Sequence, residues 1–332
     1  MPKKPRNLKM KAIVIGENGP ELSDIAKPEP KPDEVLTRVA ACGLNRADVL
    51  LANGAFPGVQ GGAGVIIGME WAGEVESVGS NVKNFAPGDR VMCAGSAGYS
   101  EYAVSDYGRT MKVPGNNMSF EQAATYPIAL QTMHNALITQ GKLTKGETVL
   151  IQGASSGVGL MAMQIAKHMG ARQVFGSSTN DSRRAQLTKF GADSVFNSND
   201  DTWVDEVLAK TAGAGVDLII DQISGSTVNQ NMEATKVCGR IVNVGRLGGG
   251  KGNFNFDLHA LRRIEYIGVT FRTRSVEEIR EIVSGVQRDL GQGIIDGNLS
   301  LPIDKVFPLT EAPAALEYMA ENKHFGKIVL QI

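Results

Sequence analysis

The text Val149-Leu-Ile-Gln-Gly153-Ala-Ser-Ser156-Gly157-Val158-Gly159 carries the clearest chemical signal in this 332-residue chain. Glycines between an apolar strand and a helix allow a tight turn. They let a phosphate approach main-chain N–H groups at the positive end of the helix. The spacing departs from a strict G-x-G-x-x-G, and a glycine cluster alone can be a plain strand-to-helix turn. Here strand, loop and helix stand in the order that a dinucleotide pyrophosphate needs. About 20 residues further on, an NAD site carries a carboxylate for the ribose 2′-hydroxyl. That region reads Gly176-Ser177-Ser178-Thr-Asn-Asp181-Ser-Arg183-Arg184. The strand end offers two hydroxyls and no acid, and Asp181 falls in the loop beyond it. Arg183 and Arg184 could grip a 2′-phosphate through charge-assisted hydrogen bonds, or be solvated helix residues. The pattern favours NADP(H).

These groups need a scaffold. Before about Lys112 the text is short and β-prone, as in Lys11–Ile15, Val35–Ala41, Trp71–Val78, Arg90–Ala94 and Glu101–Val104. Turn signals punctuate it, which predicts a small barrel-like β domain. From about Phe120 to Arg262 the period changes. Thr148–Ile151, Gln173–Phe175, Val195–Phe196, Asp217–Asp221 and Arg240–Val244 read as buried strands. Helical text lies between them, including Val158–Met169 and Arg183–Phe190. Alternation of this kind predicts a parallel, doubly wound sheet. Towards the end, Val276–Gln292 and Glu311–Asn322 read as helices and Lys327–Gln331 as a closing strand. The expected limits are 1–124 with 263–332 for the β-rich domain and 125–262 for the nucleotide-type domain.

Composition narrows the function classes. Lys plus Arg is 34 against 35 for Asp plus Glu, a net charge of −1, so no bulk nucleic-acid or anionic-membrane footprint is expected. No apolar run approaches the ~20 residues of a membrane span, and no signal-peptide core is visible. Cys42, Cys93 and Cys238 are too few for a disulfide scaffold and fit a reducing compartment, so a cytoplasmic location is expected. The basic run from Pro2 to Lys11 reads as a solvated tail.

The chain resembles a known family, the zinc-free quinone oxidoreductase branch of the medium-chain dehydrogenase/reductase superfamily. The residues that carry the likeness run nearly end to end: Cys42-Gly-Leu-Asn45-Arg-Ala-Asp48, Gly68-Met-Glu70-Trp-Ala-Gly73, Val78-Gly79 and Pro87-Gly-Asp-Arg90, then Gly191-Ala-Asp193, Gly239-Arg-Ile-Val-Asn-Val-Gly245 and Gly326-Lys-Ile-Val. Asn45–Leu51 and Phe271-Arg-Thr-Arg274 look most like its tumour-suppressor-inducible group. The resemblance implies a Rossmann-type doubly wound parallel sheet inserted in a GroES-like β-barrel catalytic domain. It also implies a homodimer, joined by a strand near Ile264–Phe271.

Alcohol dehydrogenases of this superfamily hold catalytic zinc with Cys, His and Cys. The resemblance places Asn45, Met69 and Ile128 at those positions, and amide, thioether and alkyl groups do not make such a site. Cys93 is the only cysteine between Val91 and Val113, so a four-cysteine zinc lobe is missing, and the four histidines show no ligand spacing. No metal is expected. The likeness implies that Asn45 lies beside the nicotinamide ribose and Thr132 near the nicotinamide. Ser156, Gly157, Val158 and Gly159 would meet the pyrophosphate, and Ser177, Ser178 and Arg183 the adenosine phosphate. Asn197, Gly245, Phe271 and Arg272 would line the remaining groove. Asn45 could instead cap a turn, Thr132 could be a helix-surface hydroxyl, and Asp48 is either an acid near the cleft or structural.

The implied activity is NADPH-dependent, zinc-independent reduction of a small quinone or α,β-unsaturated carbonyl. Enoyl or activated-alkene reduction is an alternative. There the family's enoyl-thioester reductases use a tyrosine shortly after the asparagine, where Leu50 and Phe56 stand here. Tyr99 and Tyr126 are the replacements available. A non-catalytic NADPH-binding sensor or interaction protein is the third reading.

Overall fold

The computed structural model describes residues 8–54, 62–115 and 117–332. Pro2 to Arg6, Phe56 and most of the 55–66 loop lie outside the described residues. The chain divides into two compact units: Met1–Ile128 with Ile279–Ser284 and Leu301–Ile332, and Ala129–Glu278 with Gly285–Ser300.

The first unit opens with a hairpin of β1 (Lys9–Gly16) and β2 (Gly19–Ala26), paired antiparallel along its whole length. Gly19 turns the corner at φ +111°, a conformation that favours glycine. β3 (Glu34–Gly43), β4 (Glu70–Val78), β5 (Arg90–Ala94), β6 (Tyr102–Asp106) and β7 (Thr110–Lys112) follow. The helix Arg46–Ala52 leaves directly from the end of β3.

The second unit is a six-stranded parallel sheet. Its strands are β8 (Thr148–Gln152), β9 (Gln173–Ser177), β10 (Ser194–Phe196), β11 (Val216–Asp221), β12 (Thr235–Asn243) and β13 (Glu265–Gly268). They are ordered β10-β9-β8-β11-β12-β13. Every residue of β8 is buried, as expected of a central strand covered on both faces. Leu150, Phe175, Trp203, Ile219 and Ile241 form one core cluster of this unit. The chain then returns through β14 (Ile303–Pro308) and β15 (Lys327–Gln331), completing a seven-stranded sheet in the first unit. Ile13, Val35, Trp71, Val91, Ile328 and Leu330 are buried together there.

Two expectations need correction, and two strands have no counterpart in the sequence analysis. The expected limit at 262/263 put β13 in the β-rich domain, yet, as the dimer reading had it for a strand near Ile264–Phe271, β13 belongs to the nucleotide-type sheet, pairing in parallel with β12 from Arg240↔Glu265 to Asn243↔Gly268. Main-chain pairing overrides the apparent change of texture at Arg262. The expected helix over Arg183–Phe190 is broken into a short helix, Asp181–Arg184, and a single tight turn, Leu187–Phe190. Leu187 is its only buried residue, too little apolar surface to hold a longer helix. β2 and β14 escaped the sequence reading because both are largely exposed and lack a continuous apolar face.

Candidate functional site

In the second unit all six strands run the same way, so their C-terminal ends share one edge. Ser156–Gly159, Ser177–Ser178, Asn197, Gly245 and Phe271–Arg272 follow β8, β9, β10, β12 and β13 and are brought to that edge. This is where open α/β sheets bind ligands. Thr132 is half-exposed on the helix Pro127–His134.

The glycine loop is built for close approach. Gly153 turns at φ +70°. A Cβ on Gly159 would sit 2.7 Å from the Ala154 Cα and from the Gly153 and Ala154 carbonyl oxygens, so only glycine fits. Ser156 caps the helix Gly157–His168, its Oγ accepting the Gly159 N–H at 3.1 Å. The first helical bond, Leu160 N–H to Ser156 O, leaves the Gly157 and Val158 N–H groups in the first turn for an anion. A pyrophosphate therefore fits the residues present.

A buried amide network braces this loop from below. The Ser156 hydroxyl donates to Gln222 Oε1 at 2.8 Å, and Gln222 Nε2 donates to the carbonyls of Gln152 and Gly153 at 3.2 and 3.3 Å. Gln152 Nε2 donates to Asn231 Oδ1 at 2.8 Å. Ser177 belongs to the same network: its hydroxyl donates to Gln152 Oε1 at 2.5 Å and accepts the Gly153 N–H at 3.1 Å. Its expected phosphate contact competes with these bonds, and its side chain braces the loop. Gly245 has no room for a side chain either, because a Cβ would meet the Gln222 carbonyl oxygen at 2.6 Å.

At the end of β9 the Ser178 hydroxyl donates to Ser155 Oγ at 3.0 Å. Arg184 reaches back to the Ser178 carbonyl at 2.9 Å and pairs with Asp181 at 2.6 Å. Arg183 follows Asn180, whose side chain accepts the Arg183 N–H at 3.0 Å. The one nearby acid is thus neutralised locally, and no carboxylate takes the place at the strand end. Asn197 is occupied in its own turn, donating to Asp200 and accepting from the Asn199 N–H. Arg272 bonds the Thr270 hydroxyl through both its main chain and its guanidinium at 3.2 Å.

The first unit holds a second polar cluster. Glu70 is fully buried, and Lys327 Nζ meets its Oε1 at 2.5 Å. Lys327 also donates to the Leu44 carbonyl at 2.7 Å and to Asn45 Oδ1 at 3.1 Å. Asn45 Nδ2 donates to Glu70 Oε1 at 2.9 Å, and the Ile128 N–H donates to Glu70 Oε2 at 2.8 Å. Next to it, Asp48 Oδ2 accepts the Asn45 N–H at 2.8 Å and the Tyr99 hydroxyl at 3.0 Å, while Oδ1 has no partner. Burial outweighs those two bonds and pushes the Asp48 carboxyl up to about 7. The same desolvation raises the Cys42 thiol and the Tyr99 phenol. Because Asp48 and Tyr99 are both fully buried, an acid role for Asp48 at a cleft would have to run through its neighbours.

Zinc does not fit the first unit's cluster. Among the described residues no group of three His, Cys, Asp or Glu side chains is placed to hold a metal ion. At Asn45, both amide atoms are engaged by an ammonium and a carboxylate.

Sequence reading passed over Lys327, Gln222, Gln152 and Asn231. A lysine opening an otherwise apolar strand was the available signal for the first: Lys327 is only 5% exposed, and a buried ammonium must find a carboxylate. For the three amides nothing local pointed inward.

Comparison with known proteins accords with this architecture. Residues 31–127 match the family described as alcohol dehydrogenase GroES-like domain, and residues 157–287 match zinc-binding dehydrogenase. A quinone oxidoreductase of Homo sapiens is 31% identical over 332 residues, covering 97% of each chain. A phenolphthiocerol/phthiocerol polyketide synthase chain of Mycobacterium tuberculosis is 30% identical over 309 residues. That match takes in 93% of this chain but spans only 14% of the synthase chain's length. The crystal structure of CurK enoyl reductase superposes with a TM-score of 0.85 at 28% identity, over 97% of this chain and 99% of that one. No helix among the described residues is long and apolar enough to cross a membrane. With both family domains in order and full-length relatives at this identity, the chain belongs to the medium-chain dehydrogenase/reductase superfamily.

Proposed function

We propose that this protein reduces quinones, and α,β-unsaturated carbonyls related to them, with NADPH and without a metal. The observation that carries this reading is the Asn45–Glu70–Lys327 cluster. Its amide, carboxylate and ammonium satisfy one another, which leaves nothing to act as a Lewis acid on a poor hydride acceptor. Quinones suit such a site, because they accept hydride readily and the hydroquinone oxygen takes its proton from solvent. When bound, NADPH supplies the hydride from its nicotinamide ring. The chain's part is to bind and orient. The Gly157 and Val158 N–H groups take the pyrophosphate, with Ser156 and Gly159 shaping the turn. Ser178 and Arg183 take the 2′-phosphate, Asn45 the nicotinamide ribose and Thr132 the nicotinamide. Gly245, Phe271 and Arg272 line the groove, with Asn197 at its margin.

Preference for NADPH over NADH is supported by the end of β9, where hydroxyls stand instead of a carboxylate and Arg184 neutralises Asp181. The test is oxidation of NADPH and of NADH by the purified protein with a small para-quinone. Fast turnover with NADPH and little with NADH is expected. Equal use of both refutes the cofactor assignment, and no turnover with either refutes the quinone reading.

A second reading, enoyl-thioester reduction, is favoured by the likeness to CurK enoyl reductase. Against it, the Tyr99 hydroxyl is committed to Asp48 and Leu50 offers no proton. Turnover of a crotonyl thioester faster than of the quinone would select it. We also place the protein in the cytoplasm as a homodimer paired through β13, an edge strand flanked by the exposed Phe256 and Leu261 of the helix Phe256–Arg262. A monomeric mass by light scattering refutes that pairing.

A further inference from the structure

The ammonium of Lys327 has three hydrogens and three acceptors: Glu70 Oε1, the Leu44 carbonyl and Asn45 Oδ1. Its position is therefore fully determined. The Asn45 amide sits between the two members of the ion pair, with oxygen towards the ammonium at 3.1 Å and nitrogen towards the carboxylate at 2.9 Å. Rotating that amide by half a turn would set NH2 against NH3+ and a carbonyl oxygen against a carboxylate. Both contacts are repulsive in a site whose charged side chains are 6% and 0% exposed. Only one orientation survives. Asn45 is partly exposed and opens the helix Arg46–Ala52 in a capping box with Asp48, so its amide is held in a fixed sense where a ligand could meet it.

We infer that Lys327 is a positioning residue, which sets the orientation of the Asn45 amide and acts on ligands only through it. The pair spans 282 positions of sequence and joins the first residue of β15 to the residue that precedes the helix Arg46–Ala52. The inference deepens the proposed function, because it gives Asn45 its role only if Asn45 meets the cofactor. The orientation itself can be tested without cofactor.

The experiment uses four proteins: wild type, Lys327→Gln, Asn45→Ala and the double variant. In the cofactor-free protein, 15N-asparagine labelling isolates the Asn45 side-chain amide, with the Asn45→Ala spectrum identifying its signals. Wild type should show two inequivalent hydrogens, the one bonded to Glu70 exchanging slowly. In Lys327→Gln that protection should fall about tenfold, the worth of one hydrogen bond. Fast exchange of both hydrogens in wild type overturns the inference even if the variant fails to fold.

NADPH affinity, by quenching of protein fluorescence, supplies the second arm. Lys327→Gln should weaken it about tenfold in the wild-type background and not at all in Asn45→Ala. Midpoints in urea should fall in both backgrounds. An equal loss of affinity with and without Asn45 overturns the positioning role, and so does unchanged affinity in a folded Lys327→Gln. If Asn45→Ala binds NADPH as wild type does, the ligand role of Asn45 is refuted while the exchange arm still decides the orientation.

Discussion

Replacing Asp48 by asparagine removes one ionisable group from a fully buried position and changes little else in shape. In the folded chain, loss of hydration outweighs the Asn45 N–H, the Tyr99 hydroxyl and the charge of Lys327, and the carboxyl rises from 3.8 to about 7. The folded protein therefore holds this proton more tightly than the unfolded chain does. The stability it contributes is full below about pH 4, falls as pH rises towards 7 and is gone above that. From pH 5 to pH 8 the group crosses about two units of that gap, worth about 3 kcal/mol. The asparagine variant lacks this dependence. It carries instead a constant cost of about 1–3 kcal/mol, because its NH2 occupies the place of the partnerless Oδ1. Urea unfolding of both proteins at pH 5, 6, 7 and 8 separates the two effects. The variant should gain about 3 kcal/mol relative to wild type across the series. A stability difference that stays flat, or that moves the other way, would sink the reasoning, since Asp48 would then be ionised in the fold at all these pH values.

Gly159→Ala should abolish measurable NADPH binding and cost about 1–3 kcal/mol, because the new Cβ meets only main chain at 2.7 Å. Wild-type affinity by fluorescence titration would refute the loop as a pyrophosphate cradle. Ser178→Asp puts a carboxylate at the end of β9 and should shift the NADPH/NADH ratio of kcat/KM at least tenfold towards NADH, about 1.4 kcal/mol. An unchanged ratio refutes the 2′-phosphate site. Glu70→Leu strands the Lys327 ammonium in a dry interior and should destabilise the protein by about 3–5 kcal/mol. A loss below about 1 kcal/mol in denaturant would show that water or another acceptor reaches the ammonium.

Legibility in the sequence followed the range of the interactions. The glycine loop, its strand and its helix lie in one short continuous stretch, Thr148 to His168, so spacing alone located them and the parallel sheet around them. The family resemblance was legible for the same reason: short motifs in a fixed order. The surroundings of Asn45 were not legible, because Lys327 and Glu70 meet across 257 positions and only the folded sheet brings them together. Ser177 shows the complementary limit. It stands at the strand end, but a hydroxyl can serve a ligand or a loop, and its bond to Gln152, 25 residues away, was not legible in the sequence. The domain limit at 262/263 fell short of β13 because an exposed edge strand has no hydrophobic pattern of its own.

The amide of Gln222 has a kinetic consequence. It ties Ser156 to the carbonyls of Gln152 and Gly153, so the glycine turn proposed to bind the pyrophosphate keeps its shape with no ligand in place. A flexible glycine loop would have to be frozen on each encounter, at roughly 1–2 kcal/mol of entropy per ordered residue. Here that ordering is done once, during folding. Capture of the dinucleotide should then be a single second-order event, with a rate linear in ligand concentration and no slow isomerisation after it. Differences in affinity among variants of the turn should appear in the rate of escape.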